Sequence, residues 1–434
     1  MTVPDRRAAD RPTRAAVDAV WRIESACIVA GLTRLVGDVG LAEDFAQDAL
    51  LAALEQWPDT GVPDNPGAWL TTVARRRAFD HLRRARRVEE KHEALARERD
   101  EAAPSQAEEL VAALDDPVGD DVLRLMFLCC HPVLSREARV ALTLRLLGGL
   151  TTDEIARAFL VPVPTLSQRI VRAKRTLRES GVPFEIPPRE ELDSRLSSVL
   201  EVVYLVFNEG YVATSGDDWT RPDLCGEALR LGRVLARLAP HESEVHGLVA
   251  LLEIQASRLR ARVDPAGEPV LLMDQDRSRW DHLLIRRGLA ALERVRALGG
   301  GLGPYALQAA IAACHATAAR PEETDWKRIA ALYDALARVT PSPVVELNRA
   351  VAVGRAYGPE VGLEIADALR EEPLLDDYHL LPAVRGDLLE RLGRTAEARA
   401  AFERAADLTR NERERAVMRE RAAACGGPAR GSGG

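Results

Sequence analysis

Residues 150–180 have the sequence LTTDEIARAFLVPVPTLSQRIVRAKRTLRES. Thr151 and Glu154 have the spacing of a capping box, in which two side chains satisfy free backbone amides at the start of a helix. After a turn with two prolines, Thr165 and Gln168 repeat this spacing and predict a second capping box that opens a second helix. Two capped helices joined by a tight turn predict a helix-turn-helix.

The second of these helices has an apolar stripe and a basic face. Gln168, Arg172 and Arg175 share the basic face, which Arg169 and Lys174 flank without an intervening acid. Such a helix would enter the major groove of DNA, with its first side chains near base edges and its arginines on phosphates. The alternative is an ordinary basic helix that faces solvent. The apolar stripe is formed by Leu166, Ile170, Ala173 and Leu177.

The composition of the whole chain predicts a nearly all-α protein. It has 434 residues, enough for two or three folded units, and its main components are alanine, leucine and arginine, which are strong helix formers. Its six cysteines form no C-x-x-C pair, which argues against a disulfide framework and favours a reducing cytoplasm. No stretch approaches the roughly 18 apolar residues of a membrane span, and residues 1–14 do not resemble a signal peptide.

Charge is distributed unevenly along the chain. The formal net charge is −8, yet residues 68–87 contain seven arginines and a single aspartate. Residues 165–178 contain five basic residues and no acid, whereas twelve acids stand against three basic residues in 89–121. Two basic patches separated by an acidic connector are compatible with binding to nucleic acid.

Breaks in composition predict five segments. The breaks are the charged connector, the prolines near residue 187 and a tail rich in glycine. The predicted segments are a helical unit at 15–87, an acidic linker at 88–120, a second helical unit at 121–182, a large helical domain at 190–424 and a disordered tail at 425–434.

A faint repeat in the C-terminal segment predicts stacked helix pairs. Small residues stand where two helices would cross, as in tetratricopeptide repeats (TPR), although no tryptophan opens a repeat. Generic amphipathic helical hairpins are the alternative. The matching positions, offset by 36 residues, are Ala350, Val353, Gly362, Ala366 and Leu369 in one copy and Gly386, Leu389, Ala398, Phe402 and Ala405 in the next.

The N-terminal unit has two predicted helices with charged faces. One begins at Asn65-Pro66 and places Trp69 beside arginines, a combination that suits a phosphate backbone and unpaired bases. Packing of Trp69 and Phe79 in the core is the alternative. The other, at 41–57, has apolar residues on one side and acids on the other, which favours protein docking over a merely solvated face.

Three groups of residues carry a resemblance to a known family. Gly37-Asp38, the segment AEDFAQD at 42–48 and the segment AWLTTVAR at 68–75 resemble region 2 of sigma-70 family RNA polymerase sigma factors, extracytoplasmic-function (ECF) subfamily. Residues 149–178 are similar to region 4. The segments FLCCHP at 127–132 and YLVFNEGY at 204–211 resemble the ECF subgroup with a TPR-like C-terminal extension.

The resemblance implies an all-α fold with two small sigma domains and a TPR-like domain, and it implies roles for individual residues. Asp44, Gln47 and Asp48 match the helix that binds the β′ clamp helices of core polymerase, and the β flap is a further implied contact. The −10 promoter element is assigned to Trp69, Arg75, Arg76, Asp80, Arg83 and Arg84. The −35 element is assigned to Thr165, Ser167, Gln168, Arg169, Arg172, Lys174 and Arg175.

The resemblance also has departures and extensions. Arg76 replaces the usual asparagine, and Val161 replaces a glycine in the turn. Neither the preferred −10 sequence nor the turn geometry therefore follows from the resemblance. The acidic linker matches a segment that threads toward the polymerase channel, and a solvated tether is the alternative.

Two other clusters are interpreted as structural. Adjacent cysteines in Cys129-Cys130-His131 point apart on a helix, which favours packing over zinc binding. Glu209 has no nucleophile or histidine near it in sequence, so a structural or interdomain clasp is preferred to an acid/base site. This clasp, with a regulatory role, is predicted to comprise Phe207, Asn208, Glu209 and Tyr211.

The sequence therefore predicts a sigma factor that is neither an enzyme nor dependent on a cofactor or metal. Its expected partners are core RNA polymerase, promoter DNA and a protein or small-molecule ligand of the C-terminal domain, which would regulate activity in cis. A stand-alone helix-turn-helix regulator with a TPR-like sensor domain is the main alternative. An enzyme whose active site lies in residues 190–424 is a more distant one.

Overall fold

A computed structural model describes residues 6–96, 118–159, 161–211, 220–265, 268–299, 301–409 and 412–425. These residues form eighteen α-helices and no strand beyond one isolated bridge between Val263 and Pro269. The predicted all-α fold is confirmed. Most of the acidic linker (residues 97–117) and the tail (residues 426–434) lie outside the described residues.

The chain divides into two compact units, residues 1–202 and 203–434. The division falls inside one helix and within the predicted C-terminal domain at 190–424. Residues before it pack on the first unit: the guanidinium of Arg195 donates to the carbonyl of Phe127 at 3.2 Å, and that of Arg139 pairs with Glu201 at 3.3 Å.

The first unit comprises seven helices and the start of an eighth. Its helices are α1 (Arg6–Val36), α2 (Val39–Thr60), α3 (Pro66–Ala96), α4 (Val118–Cys129), α5 (Arg136–Leu146), α6 (Thr152–Ala158), α7 (Val163–Glu179) and α8 (Arg189–Tyr211).

Side-chain caps determine where α2 and α3 begin. The carboxylate of Asp38 accepts hydrogen bonds from the amides of Gly40 and Leu41 at 2.6 and 3.0 Å. The side chain of Asn65 accepts from the amide of Ala68 at 3.0 Å, immediately before Pro66, whose ring suits the first helical position. The predicted helix start at Asn65-Pro66 is confirmed.

The first predicted capping box is confirmed and the second is wrong. Thr151 accepts from the amide of Glu154 at 3.2 Å, and the Glu154 carboxylate accepts from the amide of Thr151 at 2.8 Å. Helix α7 instead begins at Val163, after Pro162 and without a side-chain cap. Proline tolerates the first turn because its missing N–H has no partner there, so the helix starts two residues before Thr165.

The segments at 15–87 and 121–182, predicted as separate domains, pack together in the first unit. The guanidinium of Arg34 in α1 lies 3.2 Å from the carboxylate of Asp121 in α4. Gly149, before α6, has a positive φ of 66°, and a Cβ there would lie 2.8 Å from Oγ of Ser25 in α1. The approach between α1 and this turn therefore requires glycine at residue 149.

The second unit consists of the end of α8 and ten further helices. They are α9 (Pro222–Leu238), α10 (Ser243–Ala256), α11 (His282–Leu298), α12 (Pro304–Thr317), α13 (Trp326–Val339), α14 (Pro343–Tyr357), α15 (Pro359–Ala368), α16 (Leu380–Arg391), α17 (Thr395–Leu408) and α18 (Glu412–Ala424).

The predicted repeat positions lie where consecutive helices cross. A Cβ on Gly362 of α15 would be 2.7 Å from the carbonyl oxygen of Ala350 in α14. A Cβ on Gly386 of α16 would be 2.6 Å from the ring of Phe402 in α17. Small residues thus allow these helix pairs to approach closely, as the repeat predicted. Whether the pairs are TPR in kind stays a prediction.

Candidate nucleic-acid interface

Helix α7 presents a polar face that the rest of the first unit leaves uncovered. Its stripe of Leu166, Ile170, Ala173 and Leu177 is buried, as the spacing predicted. On the opposite side Thr165, Gln168, Arg172 and Arg175 are exposed, while Ser167 and Arg169 are half-buried. Of the seven residues assigned to the −35 element, four are therefore exposed on this helix, and the other three, Lys174 among them, are half-buried.

Lys174, the seventh, is engaged with α2. Its ammonium forms an ion pair with Glu43, whose other oxygen accepts from the guanidinium of Arg145 at 2.6 Å. Glu43 is only 4% exposed. Burial alone would raise the pKa of this carboxyl, but the charges of Lys174 and Arg145 outweigh it and hold the pKa below the ordinary value. Lys174 therefore contacts phosphate only if this pair separates.

Two further ion pairs join helices α6 and α7 to the N-terminal helices of the first unit. Arg178 at the end of α7 lies 3.5 Å from Asp38, the residue that caps α2. Arg22 of α1 pairs with Glu154 of α6 at 2.7 Å. Because the partners are far apart in sequence, none of these pairings was visible as a motif.

Helix α3 has a second basic face. Trp69, Arg76, Asp80 and Arg83 follow one another at spacings of seven, four and three, so they lie on one side of the helix. The last three are exposed and Trp69 is half-buried. Arg84 is exposed and its guanidinium donates to the carbonyl of Asp80 at 3.2 Å.

Arg75 is the one predicted −10 residue that this face does not include. It is half-buried on the flank of α3. The remaining five form one surface of an aromatic residue, three arginines and one aspartate, and its tryptophan and arginines are suited to stacking on bases and to holding a phosphate backbone.

Helix α2 combines acids with one apolar side chain on its outer face. Asp44, Asp48 and Glu55 share this face with Leu51, which is 56% exposed. Asp48 pairs with Arg77 of α3 at 2.8 Å. Burial, together with Glu43 and the other nearby acids, raises the pKa of Asp44 despite the charge of Lys174. Leu51 was missed in the sequence because only exposure distinguishes it from a core leucine.

Gln47, the third predicted polymerase contact, lies one turn after Glu43 on the same side of α2. Its amide donates to the Glu43 carboxylate at 2.5 Å. The three predicted polymerase contacts therefore divide into two outer carboxylates and one amide that supports the ion-paired cluster of Glu43, Arg145 and Lys174.

The predicted clasp at 207–211 makes its contacts within the second unit. Phe207 is 1% exposed and stacks on Tyr211 with ring centroids 5.5 Å apart, and Asn208 is half-buried. Glu209 forms an ion pair with Arg221. The ion pair with Arg221 thus supports a structural role for Glu209. The interdomain and regulatory role of this segment stays a prediction.

A groove of about 620 Å³ lies in the second unit between residues 271–274 and helices α14, α16 and α18. Its apolar wall includes Leu271 and Leu388, and Arg421 pairs with Asp387 across it at 3.0 Å. Three arginines and three carboxylates line the groove, namely Arg355, Arg391, Arg421, Asp274, Asp387 and Glu390. A volume of this size suits a small molecule, and the matched charges indicate no preferred ligand charge.

Cys129 and Cys130 are both buried, and burial raises the pKa of Cys130 to about 11. The described residues contain no group of histidine, cysteine or acidic side chains arranged to hold a metal ion. Within the same residues, none of the helices is both long enough and apolar enough to cross a membrane.

Family models match three parts of the chain. The model for sigma-70 region 2 matches residues 28–88 and that for sigma-70 region 4 matches residues 124–177. A family of unknown function (DUF6596) matches residues 195–296. Region 2 thus covers the acidic face of α2 and the basic face of α3, and region 4 covers the helix-turn-helix. The fold and these surfaces define a transcription factor of the sigma-70 class.

Similar proteins place the chain more closely within the sigma-70 class. An uncharacterized protein of Rhizobium meliloti is 45% identical over 400 residues, which are 89% of this chain and 90% of that protein. The ECF RNA polymerase sigma factor SigL of Mycobacterium tuberculosis is 33% identical over 156 residues, 34% of this chain and 81% of SigL. The probable ECF RNA polymerase sigma factor SigI of the same species is 30% identical over 174 residues, 40% of this chain and 58% of SigI. The chain belongs to the ECF sigma factors of the sigma-70 family, whose members are transcription initiation factors and not enzymes.

Proposed function

We propose that this chain binds core RNA polymerase and directs it to promoters. In this proposal the outer face of α2 docks on the β′ clamp helices and the first unit also contacts the β flap. The aromatic and basic face of α3 binds and opens the −10 element, and the uncovered face of α7 binds the −35 element. The observation that supports it most is the presence of one acidic and two basic exposed faces in a single unit matched by regions 2 and 4.

Reconstitution with core polymerase tests this proposal. We expect the full chain to co-purify with core polymerase and to confer promoter-specific transcription that core polymerase alone lacks. A chain that fails to associate with polymerase, yet binds a DNA operator by itself, would instead support a stand-alone helix-turn-helix regulator. The role implies work in the cytoplasm, where the chromosome and polymerase are.

We further propose that the second unit regulates this activity in cis and that its groove accepts a protein segment or a small molecule. Its supports are the size of the groove and the extent of the unit, which is larger than the DNA-binding part. The same transcription assay, run with the full chain and with a chain ending after Val202, would detect this regulation. Equal transcription by the two would contradict it.

Arg172 is one of the arginines on the exposed face of α7. It is exposed, and no carboxylate of the described residues lies within 4.0 Å of its guanidinium. We expect Arg172→Ala to weaken holoenzyme binding to a promoter by about tenfold to 100-fold if Arg172 makes a bidentate base contact. Binding titrations on promoter DNA measure the loss.

Substituted −35 sequences separate the two ways in which Arg172 can act. A base contact predicts that the loss depends on sequence, whereas a phosphate contact predicts an equal loss on all sequences and a salt slope smaller by about one. Arg189→Ala, which removes an exposed arginine at the start of α8, is the matched control and should bind as the unaltered protein does. An unchanged affinity for Arg172→Ala would remove this residue from the interface.

A further inference from the structure

One apolar side chain lies in the middle of the uncovered face of α7. Val171 is 64% exposed, more than any other apolar residue of this helix. It stands three residues after Gln168 and four before Arg175, so these three side chains are neighbours on the helix surface. The apolar stripe at Ile170 and Ala173 lies on the opposite side and is buried. Val171 therefore does not contribute to the core.

Exposure alone does not distinguish Val171, because single exposed apolar residues are normal on protein surfaces. Its position does. Every neighbouring side chain on this face can form a hydrogen bond, and an isopropyl group cannot bond to a phosphate or to a polar base edge. In the major groove one base presents an apolar group, the C5 methyl of thymine. An exposed valine on a groove-binding face is chemically matched to that methyl.

We propose that Val171 packs against the C5 methyl of a thymine in the −35 element and so contributes to promoter specificity. The inference rests on the proposed function, in which α7 lies in the major groove. Gln168, one turn earlier, and Arg175, one turn later, fix the helix relative to the bases on either side. Val171 then reads the base between them by apolar contact.

Removal of a single methyl group from the DNA tests this contact directly. Holoenzyme made from the full chain and core polymerase first selects its −35 element from random DNA. Each thymine of that element is then replaced, one at a time, by deoxyuridine, which lacks only the C5 methyl. We expect one replacement to weaken binding about threefold to fivefold, the effect of losing one buried methyl group.

The same replacements with Val171→Ala complete the experiment. We expect the difference between the thymine and deoxyuridine probes to shrink in this variant, because the shorter alanine side chain makes less contact with the methyl group, while Val171→Ile keeps the difference. Val171→Ala should fold normally because the side chain is exposed and alanine is the better helix former. Val133→Ala, at a 42% exposed valine outside α7, is the matched control and should keep the full difference.

Two results would overturn the inference while the proposed function stands. In one, the holoenzyme selects a −35 element in which no deoxyuridine replacement weakens binding. In the other, Val171→Ala remains as sensitive to the methyl group as the unaltered chain. A chain that forms no holoenzyme at all would instead overturn the proposed function, and the inference with it.

Discussion

Glu43→Ala is expected to lower the free energy of unfolding of the first unit by about 3 kcal/mol, because it leaves two cations of a buried cluster without their carboxylate. Glu43 is 4% exposed, and the side chains of Arg145 and Lys174 are each 19% exposed. The cations retain some access to water, so the loss lies at the lower end of the range for broken buried pairs. Hydrogen exchange of the full chain, followed in peptides from α2 and α7, measures it.

Glu55→Ala is the matched control for this variant. It removes an exposed glutamate from the same helix and should change the free energy by less than about 0.5 kcal/mol. Equal protection of α7 in the Glu43→Ala and Glu55→Ala variants would show that the cluster does not hold α7 on α2. Triple replacement of Glu43, Arg145 and Lys174 by apolar residues should recover much of the loss, because no unpaired charge then remains.

The same cluster makes the stability of the first unit depend on pH in the acidic range. The pKa of Glu43 is lower in the folded chain than its ordinary value of 4.5. Its contribution to stability is therefore complete above that value and is lost as the pH falls through the folded pKa. Between about pH 5 and 3, a window that begins above the ordinary pKa of the carboxyl and extends below it, the protection factor of α7, corrected for the slower intrinsic exchange at low pH, should fall more steeply in the unaltered chain than in Glu43→Ala.

Local features of the fold could be predicted from the sequence because their causes are local. Thr151 and Glu154 are three residues apart, and their capping box formed as their spacing indicated. The buried stripe of α7 likewise follows from helical periodicity alone. The predicted start of α7 was wrong because two local signals competed, a threonine cap and prolines at the first turn. The prolines determined the start, so the helix begins at Val163, two residues before Thr165.

Long-range pairing could not be predicted from the same patterns. Lys174 belongs to the basic run of α7, and nothing near it in sequence indicates that its partner is Glu43. Gln47 was grouped with Asp44 and Asp48 by adjacency, yet it turns toward Glu43 while the two aspartates face outward. The first difference arises because Arg145 and Lys174 reach Glu43 of α2 from a segment that the sequence separates by an acidic linker, whereas the contact of Gln47 is a pair four residues apart within α2.

Reversal of the outer charges of α2 is expected to have the largest effect on function. We expect Asp44→Lys combined with Asp48→Lys to reduce affinity for core polymerase at least about 100-fold, because like charges placed across an interface cost several kcal/mol. Leu51, one turn after Asp48 on the same face, would serve as the apolar centre of the contact, with the carboxylates beside it. Competition for core polymerase against the unaltered chain measures the loss.

The fold should tolerate this double change. Asp48 and Arg77 are both about half exposed, and an ion pair of that kind contributes no more than about 1 kcal/mol. Glu190→Lys combined with Asp193→Lys changes the net charge equally at exposed positions of α8 and is the matched control. If both double variants lost affinity to the same extent, and if the loss disappeared at high salt, general charge attraction would explain the binding. A loss confined to the α2 variant identifies this face as the docking surface, since only a specific contact depends on where the charges stand.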